Sequence, residues 1–322
     1  MKSILLIVFL MSFAFKEEFK IKGDIHPYFD VTETGEKLVF SISSGSSISL
    51  YQYNLNSNET TQLTEAKEEQ SHTKPVYSST GDTVLYILRQ TTSPKSTIVM
   101  LNVKTGESKS VYTSDKLVNE VILNKTGNNI LFCLAESFRS YSPLANAAAH
   151  NLDIFKVNFD GSELNKLTEF DAYSLGPVSI DNSGDTLLFK VVANKTEKLD
   201  GIYRMSISNP EFIEHITAAN NPRTEIGNWF YNNPCYSYNN TLISFTAPYQ
   251  LYTLNLADKK CKEIWSTFGK DNQAQVISSR FVKSSKNIFF STINIEGRSY
   301  AKSAQFRIAD IESGESSILE IN

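Results

Sequence analysis

The 322-residue sequence has little of what usually announces chemistry. It holds four histidines and three cysteines, Cys133, Cys235 and Cys261. An odd cysteine count excludes a complete disulfide framework, and the spacing is unlike that of a zinc site. Cys235 and Cys261 are expected on the first and fourth strands of one sheet, beyond the ~7 Å Cα separation a bridge tolerates. All three are therefore read as buried or half-buried thiols. No G-x-S-x-G elbow, P-loop or H-E-x-x-H helix occurs. Lys and Arg number 31 against 35 Asp and Glu, and no basic cluster is interleaved with aromatics, which argues against nucleic acid as a partner. Coiled-coil heptads and long amphipathic helices are missing. So is any apolar run long enough to span a bilayer.

The longest apolar run is at the start. Lys2 precedes an apolar stretch over residues 4–11, and Ser12-Phe13-Ala14 has the small-x-small form of a cleavage site. This pattern predicts a signal peptide over residues 1–14, with a single domain over 15–322 in the periplasm or outside the cell. No cysteine follows the apolar run, so a lipoprotein anchor is not supported.

What is abundant is a repeat. Residues 75–86 read P-V-Y-S-S-T-G-D-T-V-L-Y, an apolar strand, a tight turn at Gly81 and a second apolar strand. Equivalent turn positions are Gly35, Gly81, Gly127, Gly184, Asn240 and Ser285. Five residues after each stands an aromatic: Phe40, Tyr86, Phe132, Phe189, Phe245 and Phe290. Three after each stands an aliphatic, and four before each another apolar residue. A third apolar run, a polar turn such as K-T-G-E at 104–107 and a fourth short run complete each unit. Period-2 alternation is plain in Tyr51, Tyr53 and Leu55. Four short antiparallel strands, repeated six times at about 45–57 residues, predict an all-β fold: a six-bladed β-propeller. The blades fall near 24–65, 72–113, 117–169, 174–217, 232–265 and 275–322. Each large ring is expected to fill the gap against the next blade. The ring closes either by residues 18–23 pairing beside the last blade or by residues 317–321 completing that blade unaided.

Turns from first to second and from third to fourth strand are tight, and lie on one face. The other connections carry insertions at 135–151, 194–200, 218–233, 266–274 and 292–302. Long loops on a rigid scaffold are where binding groups sit. These hold Arg139, Tyr141, His150, Arg223, Glu225, Trp229, Tyr231, Arg298 and Tyr300, of the types enriched at interfaces. His26 and His72 both lie nine residues before their turn positions, near the mouth of the central channel. With His150 they are the candidate ligands of a metal ion, set against capping or solvated loop roles. The S-I-D-N-S-G-D-T stretch at 179–186 is read as a structural turn. Asn58, Asn124, Asn194 and Asn239 stand in N-x-T sequons.

The repeats resemble those of the TolB-like, WD-repeat-like propeller family, whose blades run roughly P-x-W-S-P-D-G-x-x-I-x-F, then I-Y-x-x-D, then L-T. Residues 75–86, T-G-E-K-L-V-F at 34–40 and the Q-L-T and K-L-T endings at Thr64 and Thr168 follow that pattern, with Tyr77 in place of the Trp. The Ser-Pro-Asp of the pattern is absent throughout, which marks a divergent member. The resemblance implies scaffolding and partner binding at the cell surface or in the periplasm, and carries no catalytic residue onto this chain. The expectation is a monomeric exported scaffold without cofactor or membrane span, binding a protein or peptide on the long-loop face. The alternatives are a metal-dependent polysaccharide lyase and a carbohydrate-binding propeller.

Overall fold

The computed structural model describes residues 22–321, apart from 125, 127, 141–146, 193–199, 221–230, 284–285, 297–298 and 302. The chain forms strands and turns, and no helix occurs among the described residues. The first meander is β1 (Asp24–Val31), β2 (Lys37–Ser44), β3 (Ser47–Asn54) and β4 (Glu59–Gln62). The second is β5 (Gln70–Tyr77), β6 (Thr83–Gln90), β7 (Ser96–Asn102) and β8 (Ser108–Ser114). Next come β9 (Val118–Leu123), β10 (Asn129–Arg139), β11 (Ala148–Asn158) and β12 (Asn165–Lys166). The following meander is β13 (Ser174–Ile180), β14 (Thr186–Val192), β15 (Gly201–Ser206) and β16 (Ile213–Ile216). Then come β17 (Asn232–Tyr236), β18 (Leu242–Ala247), β19 (Gln250–Asn255) and β20 (Cys261–Ser266). The chain ends with β21 (Ala274–Phe281), β22 (Asn287–Glu296), β23 (Ser299–Tyr300), β24 (Gln305–Asp310) and β25 (Ser316–Leu319), where β23 pairs back onto β22.

Within each meander every pairing is antiparallel. One parallel bridge, Ile48 to Ser71, joins β3 to β5, so the first two meanders share an eight-stranded sheet and the described residues form five sheets. The first strands pack in a ring: β1 on β5, β5 on β9, β9 on β13, β13 on β17, β17 on β21, and β21 back on β1. This is a propeller arrangement of antiparallel four-stranded sheets. The last meander takes its fourth strand, β25, from its own end of the chain.

The core lies in the seams. Each hydrophobic cluster draws on two neighbouring meanders, as where Leu131 and Cys133 of β10 meet Leu187 and Phe189 of β14. The repeat aromatics are all at most 4% exposed. They face the preceding meander, not the following one as expected from sequence. Phe40 packs edge-on to Phe306 of the last meander at 5.3 Å, and Phe132 shares a cluster with Leu85 and Ile87 of β6. The strand twist decides which side of the sheet meets which neighbour, and sequence spacing is the same for both.

Two repeating hydrogen bonds hold the meanders. Three residues before the turn position, Thr32, Ser78, Asp181 and Ser237 accept from the backbone N–H two residues past it, at 2.9–3.2 Å. Thr64 and Thr168, the threonines of the L-T endings, accept from Leu50 N and Ile154 N of the third strands at 2.9 and 3.0 Å. Gly184 shows why the turn needs glycine. Its φ is +75°, and a Cβ there would overlap Thr126 Oγ1 and lie 2.6 Å from Asn124 Oδ1 of the preceding turn. Gly106 has the same φ with open space around it. Left-handed strain costs about 1–2 kcal/mol at either site, and forced overpacking typically adds about 1–3 kcal/mol. Denaturant unfolding should therefore show Gly184→Ala losing at least about 1 kcal/mol more than Gly106→Ala. Equal losses would mean that the turns do not touch.

Candidate functional site

A propeller's channel is lined by its innermost strands, here β1, β5, β9, β13, β17 and β21. Each has a register shift against its second strand, with extra residues around 26–28, 74–75, 119, 176–177, 233–234 and 277. Prolines sit at four of these bulges, Pro27, Pro75, Pro177 and Pro234, where the missing N–H leaves no broken ladder bond. Lys74, Gly176 and Asn233, each just before a proline, have φ of 54°, 105° and 50°. Bulges re-aim side chains. At mid-height Lys74 pairs with Glu120 and lies over the Tyr28 ring, 3.2 Å from its centroid. Glu120 packs against Gly176, where a Cβ would collide with it. Asn119 Nδ2 donates to Leu175 O at 3.1 Å.

Below the bulges, on the tight-turn face, the channel opens into a cavity of ≈ 720 Å³ including its mouth. Its wall is a ring of one residue per repeat, five before each turn position: Asp30, Val76, Ile122, Ser179, Cys235 and Arg280. Arg280 Nε donates to Asp30 Oδ1 at 3.1 Å, and Tyr77 N donates to Asp30 Oδ2 at 2.8 Å. Burial opposes the charge on Arg280, but Asp30, with Cys235 and Glu120, outweighs it and holds the guanidinium above its ordinary value. Sequence reasoning missed this ring. Its members share a position but no chemistry, so only a column read at that offset would have found them.

The sequence-predicted candidates are not gathered in one place. His72 is 5% exposed, its Nδ1 2.8 Å from Thr64 Oγ1 and its ring 5.0 Å from that of Tyr86. Burial pushes its pKa down to about 4. His26 is half-buried in β1, and burial lowers its pKa despite Asp24. His150 is buried on β11, opposite Ser137, with its ring 5.0 Å from Tyr173. No group of three or more His, Cys, Asp or Glu side chains suited to a metal occurs among the described residues. Tyr231 is 8% exposed and packs edge-on to Phe245 at 5.0 Å, a core contact. Arg139 is exposed at the end of β10, and the backbone of Tyr300 pairs with Ile295. Tyr141, Arg223, Glu225, Trp229 and Arg298 lie outside the described residues. The cysteines are free thiols, Cys133 and Cys235 buried and Cys261 half-buried, and the latter two sit on β17 and β20 as expected.

Much of the 135–151 insertion is strand, not loop. The β10–β11 ribbon pairs from Asn129 and Asn158 out to Arg139 and Ala148. Beyond Ala135 its edge on the β9 side has no strand partner among the described residues. It exposes Phe138 at 41%, and Tyr173 stands beside it at 49%.

No family model matches the sequence, and no characterised relative matches it by sequence. Solved structures do match in shape. TolB from Acinetobacter baumannii superposes with a TM-score of 0.66 at 11% identity over 89% of this chain. This chain spans only 64% of that TolB chain. An oligogalacturonate lyase in complex with manganese gives 0.53 at 14% identity, covering 90% of this chain and 91% of the lyase. A gluconolactonase from Xanthomonas campestris gives 0.57 at 11% identity, covering 90% and 87%. No helix among the described residues is long and apolar enough to cross a membrane. The seam-packed ring of four-stranded meanders and the shared repeat pattern make this chain a divergent β-propeller of the TolB-like fold.

Proposed function

We propose that the chain is a six-bladed, single-domain propeller scaffold that binds a protein or peptide partner on its long-loop face. The eight-stranded sheet counts as two blades held by one bridge, which gives six seams and six turn positions. The observation that carries the binding reading is the β10–β11 ribbon, whose β10 edge over 136–138 has no strand partner among the described residues, with exposed Phe138, Arg139 and Tyr173 beside it. A free strand edge adds an extended peptide by main-chain hydrogen bonds, and aromatic and Arg side chains anchor it. Export rests on the N-terminal pattern, and the mature chain would then begin at Phe15. The lyase alternative has less support, because its three histidines sit in separate environments.

The test uses the chain as bait against extracytoplasmic proteins of its host, followed by affinity measurement with the captured partner. Phe138→Ala combined with Arg139→Ala and Tyr173→Ala should cost about 2 kcal/mol of binding or more, roughly thirtyfold in Kd. Changing Lys104, Glu107 and Glu163 to Ala in the tight turns opposite should leave Kd within about twofold. The reverse pattern would move the working surface to the other face.

A further inference from the structure

We propose that the cavity on the tight-turn face is a second binding site, for a small amphipathic carboxylate. It lies at the opposite end of the channel from the ribbon and does not depend on the reading above. The argument starts from Arg280. A guanidinium has five N–H donors in a planar fork. Nε is used by Asp30 at 3.1 Å and Nη1 by Ser279 O at 2.8 Å, while Nη2 has no hydrogen-bond partner among the described residues. Arg280 lines the cavity, so the remaining donors border open space in a largely desolvated setting. There a charge-assisted hydrogen bond to a carboxylate is worth most.

Asp30 is the nearest competitor for that fork, and both its oxygens already accept a hydrogen bond. At the rim Lys283 lies 5.2 Å from the centre of the Tyr238 ring and makes no ion pair among the described residues. Glu33 is the opposing charge at the rim and has interactions of its own. The remaining wall is mixed: Val76 and Ile122 of the ring and Val178 from β13 form an apolar stretch, and Ser179, Asn182 and Ser237 add hydroxyl and amide groups. A cationic fork beside the apolar stretch of Val76, Ile122 and Val178 matches a ligand with a carboxylate at one end and a short hydrocarbon body. An ammonium would meet Arg280, and a neutral alcohol would leave the fork without its ionic partner.

Ligand-observed NMR titration of the full chain with sodium hexanoate, 1-hexanol and hexylamine tests this. Hexanoate should bind at least about tenfold more tightly than hexanol, the usual scale of one charge-assisted hydrogen bond, and hexylamine should bind more weakly than either. The paired change Asp30→Asn with Arg280→Gln keeps the shape and an acceptor for Tyr77 N while removing both charges. Hexanoate should weaken at least about tenfold in it. If that variant does not fold, Lys283→Glu, an exposed change, decides, with weakening of about threefold or more expected from the reversed rim charge. Hexanoate that fails to bind, binds no better than hexanol, or binds the folded paired variant as it does the wild type overturns the proposal. An unchanged affinity in Lys283→Glu, where that variant decides, also overturns it.

Discussion

Phe189→Ala is expected to cost about 3–5 kcal/mol, the usual price of emptying a Phe site in a core. Phe189 is 0% exposed and sits in the seam between the third and fourth meanders, with Phe170 at 5.7 Å and Tyr203 at 6.3 Å. Leu131, Cys133 and Leu187 border the same cluster. The strands on both sides are held by their own ladders, so the walls have little freedom to collapse into the space. Phe212, 60% exposed, is the control, and its replacement by Ala should stay within about 0.5 kcal/mol. Urea unfolding of both variants measures the difference. A Phe189→Ala protein as stable as Phe212→Ala would mean that the seam is not packed as described.

Acid should weaken the fold through His72. Leu50 N donates to Thr64 Oγ1 at 2.9 Å, leaving the hydroxyl proton to bond Nδ1 of His72 at 2.8 Å. A protonated ring loses that acceptor and charges a buried site. The folded pKa is down to about 4, against 6.5 for an unperturbed histidine. Above pH 6.5 both states are neutral and His72 adds no pH dependence. Between 6.5 and 4 the unfolded chain takes up a proton that the folded chain refuses, so stability falls as pH falls. Below about 4 both are charged and the loss is complete. At 1.36 kcal/mol per pH unit, moving from pH 7 to pH 4.5 should cost about 2–3 kcal/mol through this residue. His26 and His215 are also lowered by burial and act in the same direction. The measurement is therefore a difference: the loss between the two pH values should be about 2–3 kcal/mol smaller in His72→Asn than in wild type. Equal losses would mean that His72 is already charged in the fold.

The all-β meander fold was legible because short strands and tight turns fix the distance between turn glycine, aliphatic and aromatic. Those three columns recur from Gly35 to Phe290. The candidate site was far less legible. A β-bulge inserts a residue and breaks the period-2 pattern, so the strand stretches around Lys74, Glu120 and Asn233 gave no readable alternation. The cavity ring joins residues as unlike as Asp30, Ile122 and Cys235, which no composition signal groups. Tyr231 looked like a binding residue because it lies in a long insertion, yet apolar neighbours took it into the core. The 135–151 stretch looked like a loop because polar and apolar residues mix there, but it forms a ribbon whose outer β10 positions, Glu136, Phe138 and Arg139, are all exposed and so show no alternation.

The way the last meander is completed has a consequence for the order of assembly. Because β25 comes from the same end of the chain as β24, no strand is shared between the two ends among the described residues. The seam between them is made by contacts such as Ile25 N to Ser303 Oγ, 278 residues apart, and Tyr53 to the Glu320 carbonyl, 267 apart. A neighbouring seam, such as Lys74 to Glu120, joins residues only 46 apart. On loop-closure entropy alone the terminal seam costs about 1.5 kcal/mol more to form, and it cannot form until Ser303 and Glu320 have been made. During synthesis the apolar flank carrying Phe29, Phe40 and Tyr53 therefore waits for Phe306, the last ring to arrive. Until then that flank is a sticky half-interface, open to another nascent chain or a chaperone.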